Sequence, residues 1–187
     1  MIETMPTVVS PTASLYDRMH FGMIRLVHET LYGAFVNPYD LLTRAGLKGG
    51  QRVLEVGCGP GFFTIPAAQM VGETGYVHAL DINAVAVEHV RRKIARTGLA
   101  NVEVKLADAG ETGLPDESCD VSFLFGVAHS FKDLNKVLRE MHRVLKGGGS
   151  LSIQSRVSEK ELLRTVTANG LFNFRRETKR ISVFEKT

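Results

Sequence analysis

The chain has 187 residues, of which 44% are hydrophobic and 23% are charged, a globular composition that argues against extensive disorder. This length predicts a single domain over residues 1–187, large enough to bury a core without disulfides or metal. The formal net charge of +3 is too small to indicate a nucleic-acid-binding protein, since basic residues alternate with acidic ones. We interpret the densest basic stretch, residues 175–180, as a solvated face.

Targeting signals and cysteine chemistry are limited. No apolar run approaches the roughly 18 residues that a bilayer span needs, and the first residues lack the basic-then-apolar pattern of a signal peptide. Only Cys58 and Cys119 are present, without metal-ligand spacing. We therefore expect a cytoplasmic protein with no metal site, in which Cys58 is a small packed residue and not a nucleophile.

Two predicted helices come first in the chain. The first begins at Ser14, which forms a capping box with Asp17. Its apolar residues recur every three to four positions and form a stripe that we expect to be buried: Leu15, Met19, Met23, Leu26, Val27 and Leu31. Asn37-Pro38 predicts the start of a second, short helix that ends at Gly46.

Strands and helices then alternate to the C-terminus. The predicted strands are Val53–Val56, Tyr76–Asp81, Val102–Leu106, Val121–Phe125, Ser150–Gln154, Phe172–Phe174 and Ile181–Phe184. Four helices are predicted between these strands. The first follows Gly61, and the second runs from Asn83 to Gly98. The third begins at a Ser130–Asp133 capping box and ends at Gly147–Gly149, and the fourth runs from Ser158 to Gly170. This alternation predicts an α/β fold with a doubly wound, mostly parallel seven-stranded sheet, the last two strands forming a hairpin.

Ligands of such sheets bind beyond the carboxyl ends of the strands, near the point where the strand order reverses. The first strand is followed there by Gly57, Gly59 and Gly61, whose bare backbone can approach a ligand at a helix N-terminus. A tight turn alone could also explain the glycines. A dinucleotide site would want a small residue at Phe62, and no P-loop pattern occurs.

The segment Val53-Leu54-Glu55-Val56-Gly57-Cys58-Gly59-Pro60-Gly61 resembles the first motif of class I S-adenosylmethionine-dependent methyltransferases, especially the branch with quinone-biosynthesis and other small-molecule enzymes. The resemblance continues to the C-terminus through Asp81, Ala107-Asp108-Ala109, Leu114-Pro115 and His142–Gly149. It implies a Rossmann-like fold and S-adenosylmethionine as the cofactor. It also implies that Asp81 bonds the ribose hydroxyls and Asp108 the adenine amino group. The remaining implied cofactor-binding residues are Glu55, Gly57, Cys58, Gly59, Gly61, Ile82, Ala109, Gly126 and Tyr16.

The acceptor is less defined. A sulfonium methyl group is already activated, so the protein mainly orients donor and acceptor in line. His129, just after the fourth strand, is the candidate catalytic base, although it could instead cap or pack on the next helix. The residues Phe125-Gly126-Val127-Ala128 lack the Asn/Asp-Pro-Pro-Tyr pattern of similar nucleic-acid amine methyltransferases. A small-molecule or lipid-like acceptor is therefore expected, with RNA or protein as the alternative.

Because the core contains no insertion that could enclose a substrate, we expect residues 1–46 to form a helical lid over a cofactor-binding core of residues 47–187. The alternative is that the first helix is static scaffolding. Two other functions remain open: a nicotinamide-dependent oxidoreductase, and a cofactor-binding regulatory module without turnover.

Overall fold

The computed structural model describes residues 14–26, 36–154, 158–178 and 181–187. The helices in that part of the chain are α1 Leu15–Leu26, α2 Pro38–Ala45, α3 Thr64–Val71, α4 Ala84–Thr97, α5 Leu134–Val144 and α6 Glu159–Thr167, with a short 3₁₀ turn at Ala128–Ser130. The strands are β1 Arg52–Val56, β2 Tyr76–Asp81, β3 Val102–Leu106, β4 Cys119–Phe125, β5 Leu145–Gln154, β6 Phe172–Thr178 and β7 Ile181–Lys186.

The seven strands form one sheet in the order β3-β2-β1-β4-β5-β7-β6. The first five strands pair in parallel, and β7 runs antiparallel to both β5 and β6. The predicted doubly wound sheet with a terminal hairpin is confirmed. The strand order reverses between β1 and β4, so a ligand site is expected beyond the carboxyl ends of these two strands.

Helices cover both faces of the sheet, so most of its strands are buried on both sides. One face packs against α5 and α6 through residues such as Leu54, Leu124 and Ile153. The other face packs against α2, α3 and α4 through the intervening strand residues. The two layers fix the ends of β1, β2 and β4 against each other, and these ends carry the predicted site.

Predicted helix ends are confirmed where a side chain caps the helix. The Asn37 side chain accepts a hydrogen bond from Tyr39 N at the start of α2, and Gly46 ends that helix in the left-handed region. Asn83 accepts from Val85 N and Ala86 N at the start of α4. Ser158 caps α6 by accepting from Glu161 N. Asn, Ser and terminal Gly satisfy the orphan backbone groups of helix ends.

Two predicted boundaries around α5 are wrong. The helix opens at Asp133, whose side chain accepts from Lys136 N, while the Ser130 hydroxyl donates to Val127 O within the 3₁₀ turn. The helix also ends at Val144, and β5 starts at the next residue. Gly147–Gly149 therefore lie inside the strand instead of terminating the helix, because Leu145 already pairs with Cys119 of β4.

The N-terminal helices differ in how they pack. Leu42 and Ala45 of α2 are fully buried against α3 and the sheet, so α2 packs as part of the core. In α1, Phe21 is buried and its ring lies 5.3 Å from the His89 ring of α4. The sequence predicts that residues 1–46 form a lid. Because α2 packs in the core, that expectation applies only to α1 in the described part of the chain.

The prediction of a buried stripe on α1 is wrong for Met19, Met23 and Leu26, which are 68%, 60% and 62% exposed. The helix turns Phe21, on its opposite side, towards α4. Val27 and Leu31, the other end of the predicted stripe, lie outside the described residues. Among the helices that the structure describes, none is both long and apolar enough to cross a membrane.

Candidate active site

The glycine-rich turn after β1 is anchored to the neighbouring strand. Gly57 N and Cys58 N both donate to Leu80 O of β2, at 2.8 and 2.9 Å, and Gly61 N donates to Cys58 O at 2.9 Å. These bonds satisfy backbone groups that would otherwise be orphaned at the strand end. The turn is therefore fixed in place at the carboxyl edge of the sheet before any ligand is bound.

The three glycines of this turn have different physical roles. All have positive φ, at +75°, +50° and +76°, a backbone region that residues other than glycine rarely adopt. A Cβ at Gly57 would lie 2.6 Å from Val127 Cγ1, and one at Gly61 would lie 3.0 Å from Val90 Cγ2. A Cβ at Gly59 would meet no atom within 4 Å. Packing explains Gly57 and Gly61, whereas Gly59 presents bare backbone to open space.

Asp81 lies at the end of β2 and faces this turn. Its Oδ2 accepts a hydrogen bond from Gly59 N at 2.8 Å, and its Oδ1 accepts one from Asn83 N at 2.8 Å. An ionised carboxylate has about four acceptor positions, so these two bonds orient the group. The next residue, Ile82, is 76% exposed. The structure thus places an oriented acid beside an exposed apolar side chain at the carboxyl edge of the sheet.

Asp108 follows β3 at the same carboxyl edge of the sheet as Asp81. Its turn is joined to β2 because Ala107 N donates to Asp81 O at 3.1 Å. Asp108 Oδ1 accepts from Gly110 N at 2.7 Å, and Lys136 Nζ lies 3.8 Å away. Asp108 itself is exposed, whereas Ala109 is buried in the core. The Ala109 side chain is therefore part of the core packing.

Glu55 is a buried carboxyl beneath the glycine turn. It is 2% exposed, and neither its Oε2 nor the buried Thr64 Oγ1 has a hydrogen-bond partner of good geometry among the described residues. Burial raises the pKa of Glu55 to about 8, with the nearby Thr64 hydroxyl opposing the shift and the Asp81 charge adding to it. An unsatisfied buried acid of this kind is typical of a functional site.

Gly126 and His129 lie beyond the end of β4. Gly126 has φ +72° with open space at its missing Cβ, and its N–H donates to Gln154 O at 3.1 Å. His129 is exposed in the 3₁₀ turn that also positions Val127 against Gly57. It does not cap the next helix, because Asp133 does. His129 thus lies at the carboxyl edge of the sheet, just beyond β4.

Two other predicted residues have different outcomes. Cys58 is 4% exposed, and burial raises the pKa of its thiol far above the ordinary range, as is typical of a packed and unreactive cysteine. Tyr16 lies in α1, but its side chain is outside the described part of the structure.

Sequence reasoning missed three contributors to the site. Thr64 adjoins the Glu55 carboxyl, Val127 fills the space over Gly57, and Lys136 packs on Gly110, where its Cδ would lie 2.7 Å from an added Cβ. A lone threonine opening an otherwise apolar helix could have identified the first. The other two contacts join residues far apart in sequence and depend on the folded arrangement.

Comparisons with known proteins agree with this geometry. The family model described as a methyltransferase domain matches residues 47–180. A relative from Escherichia coli O1:K1, named ubiquinone/menaquinone biosynthesis C-methyltransferase UbiE, is 35% identical over 148 residues, which cover 78% of this chain and 56% of the relative. The chain thus spans little more than half the length of the curated relatives that it matches.

Solved structures give the same fold. A SAM-dependent methyltransferase from Aquifex aeolicus is 26% identical with a TM-score of 0.72, covering 91% of this chain and 96% of that one. The [4+2]-cyclase SpnF is 20% identical with a TM-score of 0.70, covering 90% and 75%; this likeness concerns the fold alone. With the family model matching residues 47–180, and with the glycine turn and strand-end acids in place, the chain belongs to the class I S-adenosylmethionine-dependent methyltransferases.

Proposed function

We propose that this protein transfers a methyl group from S-adenosylmethionine to a small-molecule or lipid-like acceptor by direct in-line displacement. The observation that carries the proposal is the Asp81 carboxylate, held by Gly59 N at the edge where the strand order reverses. A charge-assisted bond from this acid to sugar hydroxyls belongs to the stronger class of hydrogen bonds.

The residues present fit the cofactor of the family. Gly59 leaves its backbone open to a ligand, and Glu55 offers a buried carboxyl oxygen without a partner among the described residues. Asp81 would hold the ribose, with Ile82 and Asp108 flanking the adenine. S-adenosylmethionine supplies a methyl group already activated on a sulfonium, so the chain's own task is to orient the acceptor and exclude water.

A nicotinamide site fits these residues less well. The third small position of the dinucleotide pattern is occupied by Phe62, whose ring stacks edge-on against Phe63 with centroids 4.9 Å apart. The dinucleotide pattern wants a small residue at this position for close helix–strand packing. The regulatory-module alternative shares the cofactor site and differs only in turnover.

On the acceptor side, we infer roles for His129 and α1. His129 is exposed beyond β4, and histidine is the side chain that most often acts as a general base towards a hydroxyl, thiol or acidic carbon. Met19 and Met23 present a flexible apolar surface on α1, of the type that repacks around different ligands. We propose that this surface lines the acceptor when α1 closes over the site.

The acceptor class is proposed from the relatives. The name of the E. coli relative describes C-methylation in ubiquinone and menaquinone biosynthesis, which supports a quinone-like aromatic acceptor for this chain. A C-methylation at an acidic ring carbon would need a base, the role that we propose for His129.

The two thiols, Cys58 and Cys119, are free, in keeping with a reducing cytoplasmic location.

The experiment is a turnover assay for S-adenosylhomocysteine release with pooled metabolites and hydroxylated naphthalene and benzene acceptors. We expect release that depends on one acceptor fraction and that is lost in Asp81→Asn. His129→Asn should lower kcat while cofactor affinity stays unchanged. Cofactor binding without release in any fraction would favour the regulatory module.

A further inference from the structure

A cavity lies at the opposite edge of the sheet from the glycine turn. It has a volume of about 370 Å³ and is formed by the loop after α2, the starts of β4 and β5, and the middle of β6 and β7. Volumes of this size accommodate a small ligand. No residue of the proposed methyl-transfer site lines it.

A wide bulge in β5 shapes this cavity. The pairs Cys119↔Leu145 and Val121↔Ser150 enclose one residue of β4 but four residues of β5, residues 146–149. The bulge is fastened to the single opposing residue by Lys146 Nζ, 2.7 Å from Asp120 Oδ1. Bulges that re-aim backbone and side chains are over-represented near binding sites.

The bulge exposes glycine backbone to the cavity. Gly147 and Gly148 are exposed, and a Cβ at either would meet no atom within 4 Å. Bare glycine backbone allows an anion to approach closely, as in phosphate-binding loops. A glycine run in a strand would otherwise suggest close packing, but Gly147 and Gly148 have no neighbouring atom that requires glycine there.

The charge of the cavity is positive. Its lining contains four cations and two carboxylates: Lys48, Lys146, Arg175 and Arg176, with Asp120 and Glu185. The carboxylates are each engaged, Asp120 by Lys146 and Glu185 by Arg175. Lys48 and Arg176 belong to no ion pair among the described residues, and Arg176 donates only to the backbone oxygen of Arg44. Two cations are thus left for a ligand.

We propose that this cavity, which we name the β5-bulge site, binds the phosphate group of a small phosphorylated molecule. A guanidinium fork with a neighbouring ammonium and exposed glycine backbone matches the several acceptor oxygens of a phosphate. The basic stretch at Arg175 and Arg176, interpreted from sequence as a solvated face, is one wall of this site. The inference is independent of the proposed methyl transfer.

The test is calorimetric titration of the protein with pyrophosphate as the probe, at constant ionic strength maintained with sodium chloride. We expect saturable one-to-one binding that is weakened about ten- to a hundredfold in Arg176→Gln and in Lys48→Gln, the effect of losing one charged contact. Both side chains are exposed, so the variants should melt at the wild-type temperature.

The matched control is Arg92→Gln, which removes an exposed cation of α4 that pairs with Glu88; it should bind pyrophosphate as the wild type does. Saturating S-adenosylhomocysteine should leave the pyrophosphate affinity unchanged, which separates this site from the cofactor site. Equal binding by all four proteins, displacement by S-adenosylhomocysteine, or binding of heparin without pyrophosphate would each overturn the proposal.

Discussion

The backbone N–H of Gly59 donates to the Asp81 carboxylate at 2.8 Å, and this bond joins the glycine turn after β1 to the end of β2. The acid is therefore oriented by the loop that it serves. Such preorganisation lowers the entropic cost of binding, because the side chain is already held in one rotamer.

Asp81→Asn should weaken binding of S-adenosylhomocysteine about ten- to a hundredfold, since a charged hydrogen-bond acceptor contributes on the order of 1.5–3 kcal/mol. The fold should be retained, because Asp81 is half-buried and outside the apolar core. Calorimetry measures the dissociation constant. Glu73→Gln, an exposed acid before β2, is the matched control; equal affinities for the two variants would place the cofactor elsewhere.

Gly57→Ala and Gly59→Ala should separate packing from ligand contact. The methyl group at position 57 would meet Val127 Cγ1 at 2.6 Å, so this variant should lose about 1–3 kcal/mol of unfolding free energy through overpacking. The methyl group at position 59 meets no atom, so Gly59→Ala should lose less stability than Gly57→Ala but bind the cofactor poorly.

Denaturant unfolding and calorimetry measure the two effects of these glycine substitutions. Adding Val127→Ala to Gly57→Ala removes the clashing methyl groups and should restore part of the lost stability. If the second substitution gives no recovery, contact with Val127 is not the reason for glycine at position 57.

Glu55 predicts a specific pH dependence of stability. Its folded-state pKa of about 8 lies above the ordinary value of 4.5, so between these values the folded state binds more protons than the unfolded state. Stability should therefore fall as pH rises from about 4.5 to about 8, by roughly 1.4 kcal/mol for each unit of pKa difference.

Urea unfolding of the wild type and of Glu55→Gln across this range tests the prediction. The neutral amide cannot ionise, so the variant should show a flatter profile and equal or exceed the wild type above pH 8. Parallel profiles for the two proteins would mean that Glu55 is ionised in the folded state at neutral pH.

The described part of the proposed lid, residues 14–26, should gain protection from hydrogen exchange when S-adenosylhomocysteine is added. Its anchor is the Phe21 ring against His89 of α4, and α4 begins just after Asp81. Deleting residues 1–26 should lower turnover far more than cofactor affinity, since α2 and the core remain. Unchanged protection would identify α1 as static scaffolding.

The doubly wound sheet and the acids at its strand ends could be predicted from sequence because the signals are local. Gly57 and Gly59 follow a short apolar strand and Asp81 ends the next one, and parallel strand ends converge at one edge of the sheet. The caps at Asn37 and Asn83 were equally accessible, because one side chain and the adjacent backbone determine them.

The remaining features depend on contacts distant in sequence. Both sides of α1 carry apolar residues, so helical periodicity alone could not choose Phe21 over Met19 as the buried side; packing on His89 decides it. The bulge of β5 likewise follows from pairing with Cys119 and Val121, which no glycine pattern specifies. The Glu55–Thr64 pair could not be predicted from sequence, because the raised pKa of Glu55 results from its burial in the folded protein.

Calorimetric titration of the purified protein with S-adenosylhomocysteine and, separately, with NAD tests the cofactor assignment most directly. We expect one-to-one binding of the sulfur nucleoside, weakened about ten- to a hundredfold in Asp81→Asn, and no heat with NAD. Binding of NAD without a response to S-adenosylhomocysteine would contradict the assignment of the glycine turn and Asp81 to S-adenosylmethionine.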